Sequence, residues 1–362
     1  MRPHALAPID PAWVRRNMGR PRSARIIMAR STGARSSRYE RIMHWPGGEH
    51  VWWPAHPQST LQQSSPGVRA SSTGNAATNG STNGQTSGQT NGQTNGKING
   101  ATAGATTGVT NGAPGTAVER TPVLLYLHGG GFIACSPETH RPLVSSLVRR
   151  LGGEAFVPSY RLAPEHPHPA ALEDAENAYL HLVEDRGVDP SRIIIAGDSA
   201  GGGLALALTM SLRDHGIPLP AGVVLFSPWT DMTGTGASLD ENSDRCAMFA
   251  GVTIRRAAQF YVGEGDPSNP MLSPLFGDFH GLPPLLLHAS EDEVLRDDTL
   301  RVAERAREAG VTVTARLWPH VPHVWQFFAA VLPEARESLA DATAFVRDVV
   351  GQHDRSPGRE RE

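Results

Sequence analysis

From Thr121 to Val349 short apolar runs alternate with longer stretches of helical pattern, and this alternation restricts the chain to few architectures. Residues 123–128, 155–160, 193–196, 223–226, 285–288 and 311–318 read as strands, most of them too apolar for a sheet with one wet face. Helical patterns at 141–151, 169–185, 202–215, 297–309 and 332–350 fill the gaps between them. Strands that alternate with helices in this way predict an α/β fold, a mostly parallel central sheet flanked by helices on both faces. Earlier in the chain, 41–45 and 50–53 bracket Pro46-Gly47-Gly48 and read as a hairpin at the antiparallel edge of that sheet.

The domain plan follows from changes in composition. Residues 1–55 hold short amphipathic segments rich in arginine, expected to pack as cap helices, followed by the edge strands. The ten arginines and two acids of residues 1–45 also fit an organelle transit peptide, although packing elements account for them more simply. Residues 56–118 change to Gly, Asn, Thr, Ser and Gln, with Arg69 and Lys97 as the only Lys, Arg, Asp or Glu. A stretch with so little to bury does not offset its ordering entropy, so a disordered low-complexity linker is expected. The catalytic domain is placed at 119–351 and a disordered tail at 352–362.

Composition excludes several classes of function. A net charge of -3 gives no general attraction to nucleic acid, and no run of about 18 apolar residues is present to cross a bilayer. Two cysteines, Cys135 and Cys246, do not make a disulfide framework or a metal cluster. The expectation is a cytoplasmic protein with no metal, no cofactor, no nucleic-acid partner and no stable membrane insertion; a homodimer is compatible with it.

Three motifs carry chemistry. The strand at 193–196 runs into Gly197-Asp198-Ser199-Ala200-Gly201, a Gly-x-Ser-x-Gly phrase in the strand-turn-helix setting of a nucleophile elbow. Gly197 and Gly201 would let strand and helix approach closely, leaving Ser199 in a strained conformation at a helix N-terminus. The strand at 123–127 ends in His128-Gly129-Gly130-Gly131-Phe132, where residues without side chains can turn backbone N–H groups toward an oxyanion. Beyond the strand at 285–288 lie five carboxylates, Glu291, Asp292, Glu293, Asp297 and Asp298, of which one can orient a histidine. The last two are expected to cap the next helix. The loop after 311–318 supplies His320 and His323, one of them expected to act as base.

Together with Tyr160-Arg-Leu-Ala-Pro-Glu-His166-Pro, Ser227-Pro-Trp-Thr-Asp231 and Pro322-His323-Val, these phrases resemble the hormone-sensitive-lipase-like esterases, also called bacterial family IV, over about residues 121–349. The resemblance implies an α/β-hydrolase fold with a helical cap, mapped loosely onto residues 1–38 and 238–262. It implies Ser199, Asp292 and His323 as the triad, the acid being read from an Asp-x-x-Leu phrase at Asp292 to Leu295. It places the oxyanion N–H groups at Gly130, Gly131 and Ala200, with His128, Gly129, Gly197 and Gly201 as motif support, while Glu165, His166 and His168 are not catalytic. The function implied is hydrolysis of short to medium acyl esters through an acyl-enzyme. Phe132, Trp229, Trp325 and Phe327 are expected to narrow the site. A lactone hydrolase on the same site is the alternative, followed by a non-catalytic small-molecule receptor; an assembly protein built on the Asn/Gln-rich tract is a third reading.

Overall fold

The computed structural model describes residues 41–45, 48–52 and 121–353. The expected N-terminal cap helices, the low-complexity linker and residues 354–362 lie outside the described residues. Eight strands form one sheet in the order β1-β2-β4-β3-β5-β6-β7-β8. They are β1 (Arg41–Trp45), β2 (Gly48–Trp52), β3 (Val123–Leu127), β4 (Glu154–Pro158), β5 (Ile193–Asp198), β6 (Gly222–Phe226), β7 (Leu285–Ser290) and β8 (Val313–Trp318). Strands β3 to β8 run parallel, and the hairpin β1–β2 joins the edge of β4 antiparallel, as its two flanking runs predict.

Strands β3 to β7 read as continuous apolar runs because each of their two faces is covered, whereas β8 leaves alternate residues exposed. Leu125, Leu127, Ile193, Ile195, Val223, Leu225, Leu285 and Leu287 enter one core cluster. Their alternate neighbours Leu124, Tyr126, Ile194, Ala196, Val224, Phe226 and Leu286 enter the other. Helices α2 (Ala170–Leu180), α3 (Ala200–Asp214) and α5 (Arg296–Glu308) supply residues to the first cluster. Helices α1 (Pro137–Leu151) and α6 (Pro333–His353) supply the second, the latter through Leu339, Ala342, Val346 and Val349 at helical spacing. Helix α4 (Gly251–Val262) and a helical turn at Ser238–Glu241 occupy the segment between β6 and β7. Helix α1 starts four residues before its apolar pattern suggests, because Ser136 and Thr139 form a reciprocal capping box and Pro137 is preset for a first turn.

Strand order reverses around β3: the chain passes from β3 to β4 on one side and returns to β5 on the other. Such a switch point opens a crevice beyond the C-terminal ends of the two strands. The register pairs Leu127 with Gly197, so the loop after β3 and the turn after β5 leave the sheet side by side.

Helix α3 begins at Ala200, directly after Ser199 and two residues before the start at 202 that its pattern suggests, and takes in Gly201, Gly202 and Gly203. A Cβ on Gly201 would drive into the carbonyls of Leu127 and His128, one on Gly203 into the Trp229 carbonyl, and one on Gly197 into the Gly201 carbonyl. The glycines therefore let α3 sit against the ends of β3, β5 and β6 despite their poor helix propensity. We expect Gly201→Ala to destabilise the fold by about 2 kcal/mol or more through overpacking. The denaturant midpoint of the variant measures this; an unchanged midpoint would show that the elbow can relax.

Candidate active site

Ser199 sits at the β5–α3 junction with φ 53° and ψ -124°, a conformation rarely held by a residue with a side chain. Its N–H donates to the Phe226 carbonyl at 2.9 Å, and its own carbonyl accepts from Gly202, Gly203 and Trp229. These four bonds hold the strained turn from both sides.

The loop after β3 is built to the same tolerance. Gly130 and Gly131 have φ of 121° and 64°, and a Cβ on Gly129 would collide with the Asp198 carboxylate. The N–H groups of Gly130, Gly131 and Ala200 meet no protein acceptor among the described residues. His128 is buried, stacks on Tyr160 with ring centroids 4.2 Å apart, and has Nδ1 2.8 Å from the Gly129 carbonyl. Burial, reinforced by the neighbouring His140, lowers its pKa to about 3, so it is a neutral prop for the loop. Asp198 joins this loop to the elbow: it accepts from Tyr126 Oη at 2.8 Å and Gly129 N–H at 3.2 Å, and pairs with His140 Nε2 at 3.2 Å. Burial alone would raise the Asp198 carboxyl, but the His140 charge and the bonds from His140 and Tyr126 outweigh it and hold the group below its ordinary range.

His323 Nδ1 lies 3.0 Å from Glu293 Oε2, and both side chains are buried, at 2% and 0% exposure. Its Nε2 is buried with no hydrogen-bond partner among the described residues. The loop carrying it is fastened to β6 and β7, with Val324 N–H donating to Ser227 Oγ at 3.3 Å and Ser290 Oγ to the Val321 carbonyl. Phe249 stands edge-on to the imidazole, 5.0 Å between centroids.

The carboxylate on His323 is thus Glu293, where the sequence reading expected Asp292. Asp292 instead pairs with Arg245 and accepts from His320, whose side chain is 86% exposed. The chain turns after Ser290, whose Oγ receives the Asp292 N–H, so Asp292 ends on the outer side of the turn. Glu293 leads into the wholly buried Val294-Leu295 pair. Its adjacency to that pair is the one sequence cue that favoured it, and its extra methylene gives it reach.

Asp297 and Asp298 do not cap α5, whose N-cap is Leu295. Asp297 accepts from Ser238 N–H, while Asp298 is 2% exposed and braces the 227–231 loop by accepting from Thr230 and Asp231 N–H at 2.6 and 2.9 Å. The four expected aromatic residues divide. Phe132 stacks on Tyr261 of α4 with centroids 3.5 Å apart and lies 6.1 Å from Trp229, whereas Trp325 packs on Trp318 and Phe327 on His140. A cavity of about 430 Å³ adjoins the glycine loop after β3, lined by Ile133, Ala134, Cys135, Leu162, Glu165 and His166. Among the described residues no three His, Cys, Asp or Glu side chains converge as metal ligands, and no helix is long and apolar enough to cross a membrane.

Comparison with known proteins agrees with this architecture. The profile of a family described as alpha/beta hydrolase fold matches residues 124–327. An acetyl-hydrolase of Streptomyces hygroscopicus is 44% identical over 229 residues, 63% of this chain and 76% of its own. An esterase of Acinetobacter venetianus is 37% identical over 226 residues, 62% of this chain and 74% of its own. Among solved structures, an esterase from the bacterial hormone-sensitive lipase family superposes with a TM-score of 0.69 at 31% identity, covering 94% of this chain and 97% of that one. A hormone-sensitive lipase from a metagenome library gives 0.61 at 39% identity over 63% and 78%.

The Asp298 brace has a measurable signature. Burial, with the Asp231 charge behind it, raises the Asp298 carboxyl to about 7 against the pull of its two backbone donors. The folded state therefore keeps a proton that the unfolded chain releases near pH 4, and Asp298's contribution to stability is full below that pH and falls away as pH rises toward 7. Asp298→Asn retains an oxygen for both N–H groups and should flatten the stability profile between about pH 4 and 7. Urea midpoints across that range decide it; an unchanged slope in the variant would refute the assignment.

Proposed function

Since the chain belongs to the α/β-hydrolase-fold family and is an esterase-type hydrolase of the hormone-sensitive-lipase-like group, we propose that it cleaves carboxylic esters with Ser199 as nucleophile, His323 as base and Glu293 as the orienting acid. The observation that carries this reading is the buried Glu293–His323 bond, which leaves His323 Nε2 as the free basic atom in a loop fastened beside the elbow.

In this reading Ser199 Oγ attacks the ester carbonyl while its proton passes to His323 Nε2. Glu293 holds the imidazole through Nδ1 and stabilises the imidazolium. The unengaged N–H groups of Gly130, Gly131 and Ala200 receive the oxyanion, each contributing on the order of 3 kcal/mol. The tetrahedral intermediate collapses, the C–O bond to the alcohol breaks, and the alcohol leaves with the His323 proton. Water then gives a proton to His323, attacks the acyl-enzyme, and releases the carboxylic acid as the proton returns to Ser199.

Phe132, Tyr261, Trp229 and Phe249 support a preference for short to medium acyl groups, because a long chain would have to displace closely packed rings. On a panel of p-nitrophenyl esters, butyryl should exceed palmitoyl in kcat/KM by at least about tenfold. A palmitoyl preference would discard the acyl-length reading, and a lactone turned over faster than every ester would shift the substrate class.

Ser199→Ala and His323→Ala should each abolish turnover while folding normally, since triad members act as a unit. Glu293→Gln should lower kcat by roughly 10³ or more. Asp292→Asn and His320→Ala should stay within about tenfold of the parent. If Asp292→Asn proved the inactive variant and Glu293→Gln the active one, the acid would have been misassigned.

A further inference from the structure

The segment that joins β6 to α4 supplies none of the three triad side chains, yet it holds the backbone that presents Glu293. Asn242, 1% exposed, follows the helical turn Ser238–Glu241, and its Nδ2 donates to the Glu291 carbonyl and to the Glu293 carbonyl, each at 2.9 Å. A primary carboxamide has two N–H donors on one nitrogen, so a single side chain can bind both carbonyls at once. Those carbonyls lie between the end of β7 at Ser290 and the start of α5 at Arg296, outside the sheet ladder and the helix ladder.

Three further observations bear on this fork. Asn242 is itself held, its N–H donating to the Ser238 carbonyl and its carbonyl accepting from Arg245 and Cys246. Ser238 extends the same seam, with Oγ donating to the Val294 carbonyl at 2.8 Å and accepting from Asp297 N–H at 3.1 Å. The Glu293 carboxylate has only His323 as a partner, for its Oε1 is buried without one among the described residues. Side-chain bonds therefore do little to aim a long, flexible carboxylate, and the task falls to the backbone on either side of it.

We propose that Asn242 is a positioning residue of the triad: by clasping the carbonyls of Glu291 and Glu293 it fixes the turn that brings Glu293 to His323. Seating of the β6–α4 segment and alignment of acid with base are then one event. Phe249 of the same segment, standing edge-on to His323, couples the two from the other side. The inference rests on Glu293 being the acid.

The test uses the full chain and p-nitrophenyl butyrate, with Asn242→Ala, Asn242→Ser, Glu293→Gln and the double variant Asn242→Ala/Glu293→Gln. Asn242→Ala should lower kcat by at least about tenfold with KM changed less than about threefold, because alignment and not binding is lost. Asn242→Ser, which keeps one donor, should fall between Asn242→Ala and the parent. In the double variant the asparagine substitution should cost no more than about twofold beyond Glu293→Gln alone, since it acts through that carboxylate. Independent, multiplying losses in the double variant would indicate a merely structural asparagine and overturn the proposal, as would a parent-like kcat in Asn242→Ala. If Asn242→Ala fails to fold, Asn242→Ser and its double variant are read by the same criterion. An active Glu293→Gln would instead remove the triad reading on which the inference stands.

Discussion

Close backbone contact at the β5–α3 elbow is the constraint on which the remaining geometry depends. Helix α3 can lie against the ends of β3, β5 and β6 only because residues 197, 201 and 203 present no Cβ to the carbonyls they meet. With the helix seated there, Ser199 takes up the turn between β5 and α3 at φ 53° and ψ -124°. Its positive φ is maintained by a bond from its N–H to β6 and three bonds onto its carbonyl. The surrounding core over-determines the strain: Leu204, Ala205 and Leu206 are buried at 1% or less.

Asp198 makes the elbow and the glycine loop a single unit. Its carboxylate takes bonds from β3 through Tyr126, from the loop through Gly129 and from α1 through His140. Buried and kept charged by its partners, it would be costly to leave with any of them missing. The proposed base is tied less directly. His323 is reached through Ser227 and Ser290 at the ends of β6 and β7, and Glu293 through Asn242 of the segment between β6 and α4.

Much of this was legible in the residues, and the omissions have physical causes. Apolar runs marked every strand from β3 to β8 because both faces of most of them are buried, and the glycine phrases marked the elbow and its neighbouring loop because few residues tolerate such approaches. The pattern points to Asp292 as the partner of His323 where the structure has Glu293, because spacing to Leu295 says nothing about which way a side chain leaves an irregular turn; that depends on the Ser290 and Asn242 bonds. Trp325 and Phe327 stand close in sequence to His323, yet the bend at Val324, with φ 49°, sends them to other contacts. Asn242 carried no signal at all, since an isolated asparagine near a helical turn is ordinary, and its partners lie about fifty residues further on.

The edge hairpin has a consequence for the order in which the molecule assembles. Pairing Trp52 of β2 with Glu154 of β4 closes a loop of about a hundred residues, whereas β3, α1 and β4 are contiguous and can meet early. Loop-closure entropy grows so slowly that doubling such a connection costs only ~0.6 kcal/mol, so the length of the intervening chain weighs lightly on equilibrium stability. It weighs on rate instead, because distant pairings must wait for diffusion to bring their ends together. The parallel strands that carry the candidate site can therefore be in place before the hairpin completes the sheet, and the long connection becomes a region where evolution can add or remove residues at little thermodynamic penalty.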